Sequence, residues 1–163
     1  GQMIANWASR YLTLTAPAVE TQSQVMTRTG AEGYTTEVVA GQHHLLADEP
    51  ASLGGLDLGP NPYDYLAAAL GACTGITLRM YADHKKLPLQ EVKVHLTHEK
   101  RHADDSDNVQ SKGRKLDHID RQLELVGDEL TEEQCERLLQ IADRCPVHKT
   151  LHSEVVINTR LKD

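Results

Sequence analysis

Phenylalanine is absent from this sequence, tryptophan occurs once, and aromatic residues make up only 4% of it. The core must therefore be built from Leu, Val, Ile, Ala and Met. For 163 residues, enough for one domain, that is thin material, and a second copy burying further apolar surface is expected. Clustered basic charge is also missing: 17 Lys and Arg stand against 24 Asp and Glu, a net charge of −7. Nucleic-acid binding is not expected, because neutralising phosphates needs grouped Lys and Arg, and an anionic membrane surface is disfavoured for the same reason. No apolar run approaches a membrane span. No charged segment followed by an apolar stretch opens the chain as a secretory signal would, so a cytoplasmic location is expected. Cysteine is scarce and odd in number, at three, which argues against a disulfide scaffold and fits reactive thiols in a reducing compartment. A Gly-rich phosphate loop, a dinucleotide fingerprint and a Ser-His-Asp order are all absent.

What is present is organised around Gly59–His84, GPNPYDYLAAALGACTGITLRMYADH. Asn61 suits an N-cap, Pro62 the first helical position, and Asp64 the positive end of the helix dipole, predicting a helix over about 62–84. Apolar or small residues recur at Leu66, Ala69, Leu70, Cys73, Ile76, Thr77 and Met80, with Cys73 on that stripe. The uncharged run LAAALGACTGI is expected near the middle of the molecule. Small residues at Ala68, Gly71, Ala72 and Gly75 let another backbone or subunit come close. A cysteine on an apolar helix face is usually a small core residue. A second distinctive stretch, IADRCPVHKTLHSEVVI, carries Cys145 immediately before Pro146, and two such cysteines are candidates to face each other in the fold.

Around this helix the pattern is α+β, read as a single domain over 1–163. N-terminal strands are expected over about 21–47: Thr21–Arg28, Tyr34–Ala40 and His43–Ala47, an antiparallel meander. The preceding stretch to Val19 reads as a short helix or an arm reaching onto a partner. A Gly- and Pro-rich loop leads into the helix. A C-terminal strand-helix-strand segment is expected over about 89–161. Leu89–Lys100 alternates through Val92, Val94 and Leu96. Arg101–Gly113 reads as a loop, Lys115–Gly127 as a strand with a bulge, and Thr131 as the cap of a helix with Gln134 as its capping-box partner. Leu151–Leu161 reads as a closing strand.

NPYDYLAAALGACT, followed far downstream by RCPVHKTL, resembles the OsmC/Ohr family of thiol-dependent peroxidases over about Gly41–Thr159. The wording DEP, LGG and GPNPYDYL looks most like a branch found beside, or fused to, α/β hydrolases. The resemblance implies antiparallel sheets around a long central helix and an intertwined homodimer with two sites at its interface. It also implies reduction of an organic hydroperoxide: Cys73 attacks the peroxide, Cys145 resolves the sulfenic acid as a disulfide, and an external dithiol resets the pair. The sulfurs do the redox work, so no bound cofactor is needed. The family arginine comes from the N-terminal strands and is held by a glutamate just after the NP motif. Here Tyr63 follows Asn61-Pro62, so Asp64 is the substitute acid, Arg28 the nearest arginine, and Tyr63 a candidate for the substrate pocket. Relatives in this branch often carry two further cysteines where this chain has Asp104–Asn108. A noncatalytic module that binds an apolar small molecule or a partner hydrolase is the alternative. Cys135, among Glu132, Glu133 and Glu136, is expected to be unremarkable. Cys145-x-x-His148 is half a zinc motif whose other half only His43-His44 or Cys73 offers, and no metal is expected.

Overall fold

The structure, a computed structural model, describes residues 23–102 and 115–162. The arm expected before Val19 and the Asp104–Asn108 run lie outside the described residues. The chain divides into two compact units, residues 1–62 and 63–163.

The first unit holds a meander of three antiparallel strands, β1 (Val25–Thr29), β2 (Thr36–Ala40) and β3 (His43–Ala47), in the order β1-β2-β3. Gly41, at φ +60, makes the turn between β2 and β3, a conformation that costs glycine least. The loop that follows is tied to Asp48, which is 2% exposed. Its carboxylate accepts the Thr35 hydroxyl at 2.9 Å, the Glu49 amide at 2.8 Å and the Leu58 amide at 3.3 Å. Burial pushes this carboxyl up, but those donors outweigh it and hold it below the usual carboxylate range.

The second unit begins with the long helix α1 (Pro62–Lys85). It ends in a Schellman-type stop, with the Leu87 amide on the Ala82 carbonyl at 2.8 Å and the Lys86 amide on Asp83 at 3.2 Å. Lys86 adopts the positive φ of 54 that this stop requires. The stripe that α1 buries is Leu70, Thr74, Leu78 and Ala82, at four-residue spacing. This corrects the expected stripe: Ile76 and Met80 are 60% and 67% exposed, and among the described residues of the second unit the covered side is that of Leu70 and Leu78.

That side lies on a long hairpin of β4 (Glu91–His102) and β5 (Lys115–Val126). The pairing is one-to-one from Glu91↔Val126 to His102↔Lys115. The expected bulge in β5 is therefore absent, and β4 continues through Arg101 and His102, where a loop was expected. Directly opposed residues share a face in an antiparallel pair. Val92, Val94, Leu96 and His98 thus lie with Leu125, Leu123, Arg121 and Ile119. Gly71 meets this face closely: a Cβ there would stand 2.7 Å from the Leu96 side chain.

Helix α2 (Glu132–Ala142) closes the core. Leu78, Ala82, Leu89, Leu138, Ile141 and Ala142 form the buried cluster, with Tyr81, Val92, Leu123 and Leu125 packed against it. The capping box forms as the sequence predicts: the Gln134 amide donates to Thr131 Oγ1 at 3.2 Å, and the Thr131 amide donates to Gln134 Oε1 at 3.1 Å. Thr131→Ala should cost about 1 kcal/mol of stability in urea unfolding, and a loss under about 0.3 kcal/mol would show that the box contributes little.

The closing strand expected at Leu151–Leu161 is not formed. A short helix, α3 (Pro146–His152), takes its first residues, because Pro146 occupies the first helical position and Cys145 the N-cap. The segment after Ser153 has no strand partner among the described residues, and Val155, Val156 and Ile157 are 56%, 77% and 83% exposed. An alternating segment without a neighbouring strand edge cannot satisfy its backbone as a sheet. Among the described residues no helix is long and apolar enough to cross a membrane.

Candidate active site

Two turns build the site within the second unit. After Ala142 the chain leaves α2 through Asp143 and Arg144, and the Arg144 amide returns to the Ile141 carbonyl at 2.9 Å. Pro146 then restarts it as α3, leaving Cys145 between two helices. The Cys145 side chain is 0% exposed. Its sulfur accepts the His148 amide at 3.3 Å, the role that a serine or aspartate oxygen plays at an ordinary N-cap.

On α1, Cys73 and Thr74 face this sulfur. The Cys73 thiol is close enough to Cys145 Sγ to help lower its pKa. Thr74 Oγ1 lies 3.8 Å from the same sulfur and 2.8 Å from the Leu70 carbonyl. A hydroxyl has one hydrogen, so it serves one of these acceptors at a time. The two cysteines named from sequence are thus brought together. All three cysteines are free thiols; Cys73 and Cys135 are partly exposed and Cys145 is buried.

Arg121 completes the group. Its side chain, 13% exposed, donates from Nη1 to Thr74 Oγ1 at 2.9 Å and to the Ala142 carbonyl at 3.3 Å. Nη2 donates to Asp143 Oδ1 at 2.7 Å. Burial pushes the Cys145 thiol up. The His148 amide, the Cys73 thiol, the Thr74 hydroxyl and the Arg121 charge, in that order, outweigh it and hold the thiol below its ordinary range. Burial also lowers His148, against the nearby Asp143, while His152 and Arg121 lower it further, so its imidazole is neutral at pH 7.

Beside the thiols opens a cavity of about 500 Å³. Arg121 and His148 belong to its wall, while neither sulfur does. Leu66, Leu70, Ile119 and Leu151 supply its apolar lining, and Tyr63, His98, His118 and His152 much of the rest. Tyr63 stacks on His98 at 4.3 Å between centroids, with Lys100 Nζ 5.4 Å from its ring centre. His98 is fixed in turn by Asp117 at 2.8 Å.

Arg28 belongs to the first unit, where Glu37 holds its guanidinium through two hydrogen bonds of 3.0 and 2.8 Å across the β1–β2 pair. That partner raises its pKa further. Asp64 is exposed in the first turn of α1, nine positions before Cys73. At 1.5 Å per residue that is about 13 Å along the axis, too far for contact within one chain. Cys135 sits on α2 away from the pair. Among the described residues no cluster of three or more His, Cys, Asp or Glu is placed to hold a metal ion.

Sequence reasoning missed Arg121, Thr74 and Asp143. A signal for Arg121 was available. It falls at period two with Ile119, Leu123 and Leu125, a charged residue on the apolar face of a strand, and such a residue is rarely buried without a partner.

The model of the OsmC-like protein family matches residues 54–160, two-thirds of the chain and both cysteines. The chain belongs to the OsmC-like family. No curated protein matches it in sequence. Among solved structures, it is similar to an OsmC-like protein from Mycoplasma pneumoniae at TM-score 0.63 and 16% identity, over 82% of this chain and 89% of that one. It is also similar to an organic hydroperoxide resistance protein OsmC from Legionella pneumophila, at TM-score 0.54 and 19% identity, over 81% and 91%. The organic hydroperoxide resistance protein OhrB of Bacillus subtilis matches at TM-score 0.52 and 21% identity, over 80% and 90%. At such identities the likeness establishes the fold: α+β, OsmC-like, antiparallel sheet with a long helix. Some members of the family thus carry hydroperoxide resistance in their names.

Proposed function

We propose that this OsmC-like protein reduces organic hydroperoxides with the Cys73–Cys145 pair. The observation that carries this reading is that Cys145 packs against the turn of α1 that carries Cys73 and Thr74, two thiols far apart in sequence at one place, with the Cys145 thiol held below its ordinary range. Cys73 is the accessible sulfur and attacks. As Cys73 attacks, its proton passes to the neighbouring Cys145 thiolate; the Cys73 sulfur takes the distal peroxide oxygen, the O–O bond breaks, and the leaving alkoxide takes that proton to become the alcohol, which returns Cys145 to the thiolate. Cys73 becomes a sulfenic acid. The Cys145 thiolate then displaces hydroxide from that sulfur, giving a disulfide and, with a proton, water. An external dithiol reduces the disulfide and is itself oxidised. Tyr63 and the apolar wall of the cavity suit an organic substituent on the peroxide.

A stopped-flow assay with cumene hydroperoxide tests the reading. Rapid, stoichiometric loss of two thiols per chain is expected. A rate no faster than that of free cysteine would overturn it and favour the second reading, a noncatalytic module binding an apolar small molecule or a partner hydrolase. One observation favours that second reading: neither sulfur lines the cavity.

The working unit on this proposal is a homodimer. Ala68, Ala72, Ile76 and Met80 form an exposed column at four-residue spacing along α1, and Val155–Ile157 are exposed with no strand partner among the described residues. A second copy covers both. Sedimentation at micromolar concentration should give twice the 18.1 kDa chain mass, and Met80→Lys should shift it toward the single chain. A single-chain mass for the parent protein would exclude the dimer. The setting proposed for this activity is the cytoplasm, as part of an antioxidant stress response.

A further inference from the structure

The thiol pair needs a cation beside it, and the residue that the family resemblance puts forward, Arg28, is held by Glu37 within the first unit. The second unit supplies another. We propose that Arg121, anchored by Asp143 and bridged through Thr74, is the positioning residue that keeps the negative charge of the sulfur pair on Cys145. This rests on the peroxidase reading for its consequence but not for its measurement.

The geometry is directional. Asp143 Oδ1 and the Ala142 carbonyl take up one hydrogen on each side of the guanidinium, at 2.7 and 3.3 Å, and so fix its plane. A further donor reaches Thr74 Oγ1 at 2.9 Å, and that oxygen stands 3.8 Å from Cys145 Sγ. When the sulfur is neutral, the Thr74 hydrogen rests on the Leu70 carbonyl at 2.8 Å. When the sulfur is charged, the hydroxyl can rotate toward it while still accepting from Arg121. The groups facing Cys145 are then Cys73 and Thr74 from α1, Arg121 from β5, Asp143 from the turn after α2, and His148 from α3. Of these groups, Asp143 is the opposing charge. Its side chain is 64% exposed, so water screens it, whereas Arg121 is 13% exposed and acts through protein. The geometry favours charge on Cys145, since the amide of His148 and the Thr74 bridge both converge on its sulfur.

The consequence is for resolution. A thiolate waiting at Cys145 condenses with the Cys73 sulfenic acid before a second peroxide oxidises it to the sulfinic acid. Arg121 thereby protects Cys73.

The test is a thiolate titration, by ultraviolet absorbance, of the reduced protein carrying Cys73→Ser and Cys135→Ser, so that Cys145 alone reports. Adding Arg121→Met should move the midpoint upward. Arg121→Lys should lie nearer the parent, and Asp143→Asn and Thr74→Val should each give a smaller upward move. With both site cysteines present, Arg121→Met should slow disulfide formation about tenfold and raise the sulfinic fraction at Cys73. An unchanged midpoint in Arg121→Met with native circular dichroism overturns the proposal. If that variant does not fold, unchanged midpoints in both Asp143→Asn and Thr74→Val overturn it instead. A midpoint that moves with Arg28→Met and not with Arg121→Met returns the role to the N-terminal strands. Failure of the peroxidase reading leaves a different signature: the titration behaves as stated, but no sulfenic acid forms.

Discussion

Cys73→Ser should abolish peroxide-dependent thiol loss, from two thiols per chain to none, while Cys145→Ser should still consume one peroxide and stop at a sulfenic acid on Cys73. The physical basis is the difference in access: Cys73 is partly exposed and Cys145 is buried. A dimedone-type probe followed by mass spectrometry reads the outcome. Labelling at Cys145 in the Cys73→Ser variant, with none at Cys73 in the Cys145→Ser variant, would reverse the two roles. Cys135→Ser should match the parent, because Cys135 lies on α2 apart from the pair. The pH profile follows from the sign of the Cys145 shift. Its thiol is held below the ordinary range, so the thiolate survives to lower pH than a free cysteine. Disulfide formation should therefore hold its rate below the pH at which free cysteine fails, and fall once Cys145 is protonated. A profile that follows free cysteine would contradict that assignment.

Leu78→Ala is expected to have the largest effect on stability, a loss of about 2–5 kcal/mol. Leu78 is fully buried between α1, α2 and the hairpin, and it touches the cluster that holds Leu138 and Ile141. Its neighbours Leu138 and Ile141 are themselves buried and packed, so the space left behind is only partly refilled. Urea unfolding measures it, with the slope unchanged if only the folded state is affected. A loss below about 1 kcal/mol would mean that the cavity collapses and the core is less tightly packed than it stands. The same substitution should also weaken the cysteine pair, because Thr74 lies one turn before Leu78 on the stripe that seats α1 against the hairpin.

Much of the frame was legible in the sequence because it rests on local rules. The meander over β1–β3, the helix beginning at Pro62, the hairpin strands and the Thr131 capping box all follow from periodicity, turn residues and caps acting within a few positions. The family resemblance followed from the local wording around Cys73 and Cys145, and the family match over 54–160 agrees with it. Where local rules misled, a longer-range contact was the cause. Leu151–Leu161 alternates like a strand, but no strand edge among the described residues pairs with it, and the start signal at Cys145-Pro146 claims its beginning for α3. The stripe on α1 was misplaced because both of its sides carry apolar residues, and periodicity alone does not say which side its own chain covers.

By itself the sequence determined the composition of the core, the absence of a basic surface, the helix that carries Cys73 and the break that isolates Cys145, since each is written in neighbouring residues. Only the tertiary structure decided which cation stands by the sulfurs. Within the first unit Arg28, the nearest arginine to the family's position, pairs with Glu37, and Asp64 lies in the first turn of α1. Arg121 reaches Thr74, Ala142 and Asp143 because β5, α1 and the turn after α2 converge there. Convergence of three segments is set by how the hairpin register and the helix stripe pack together, and no single stretch of sequence contains that information.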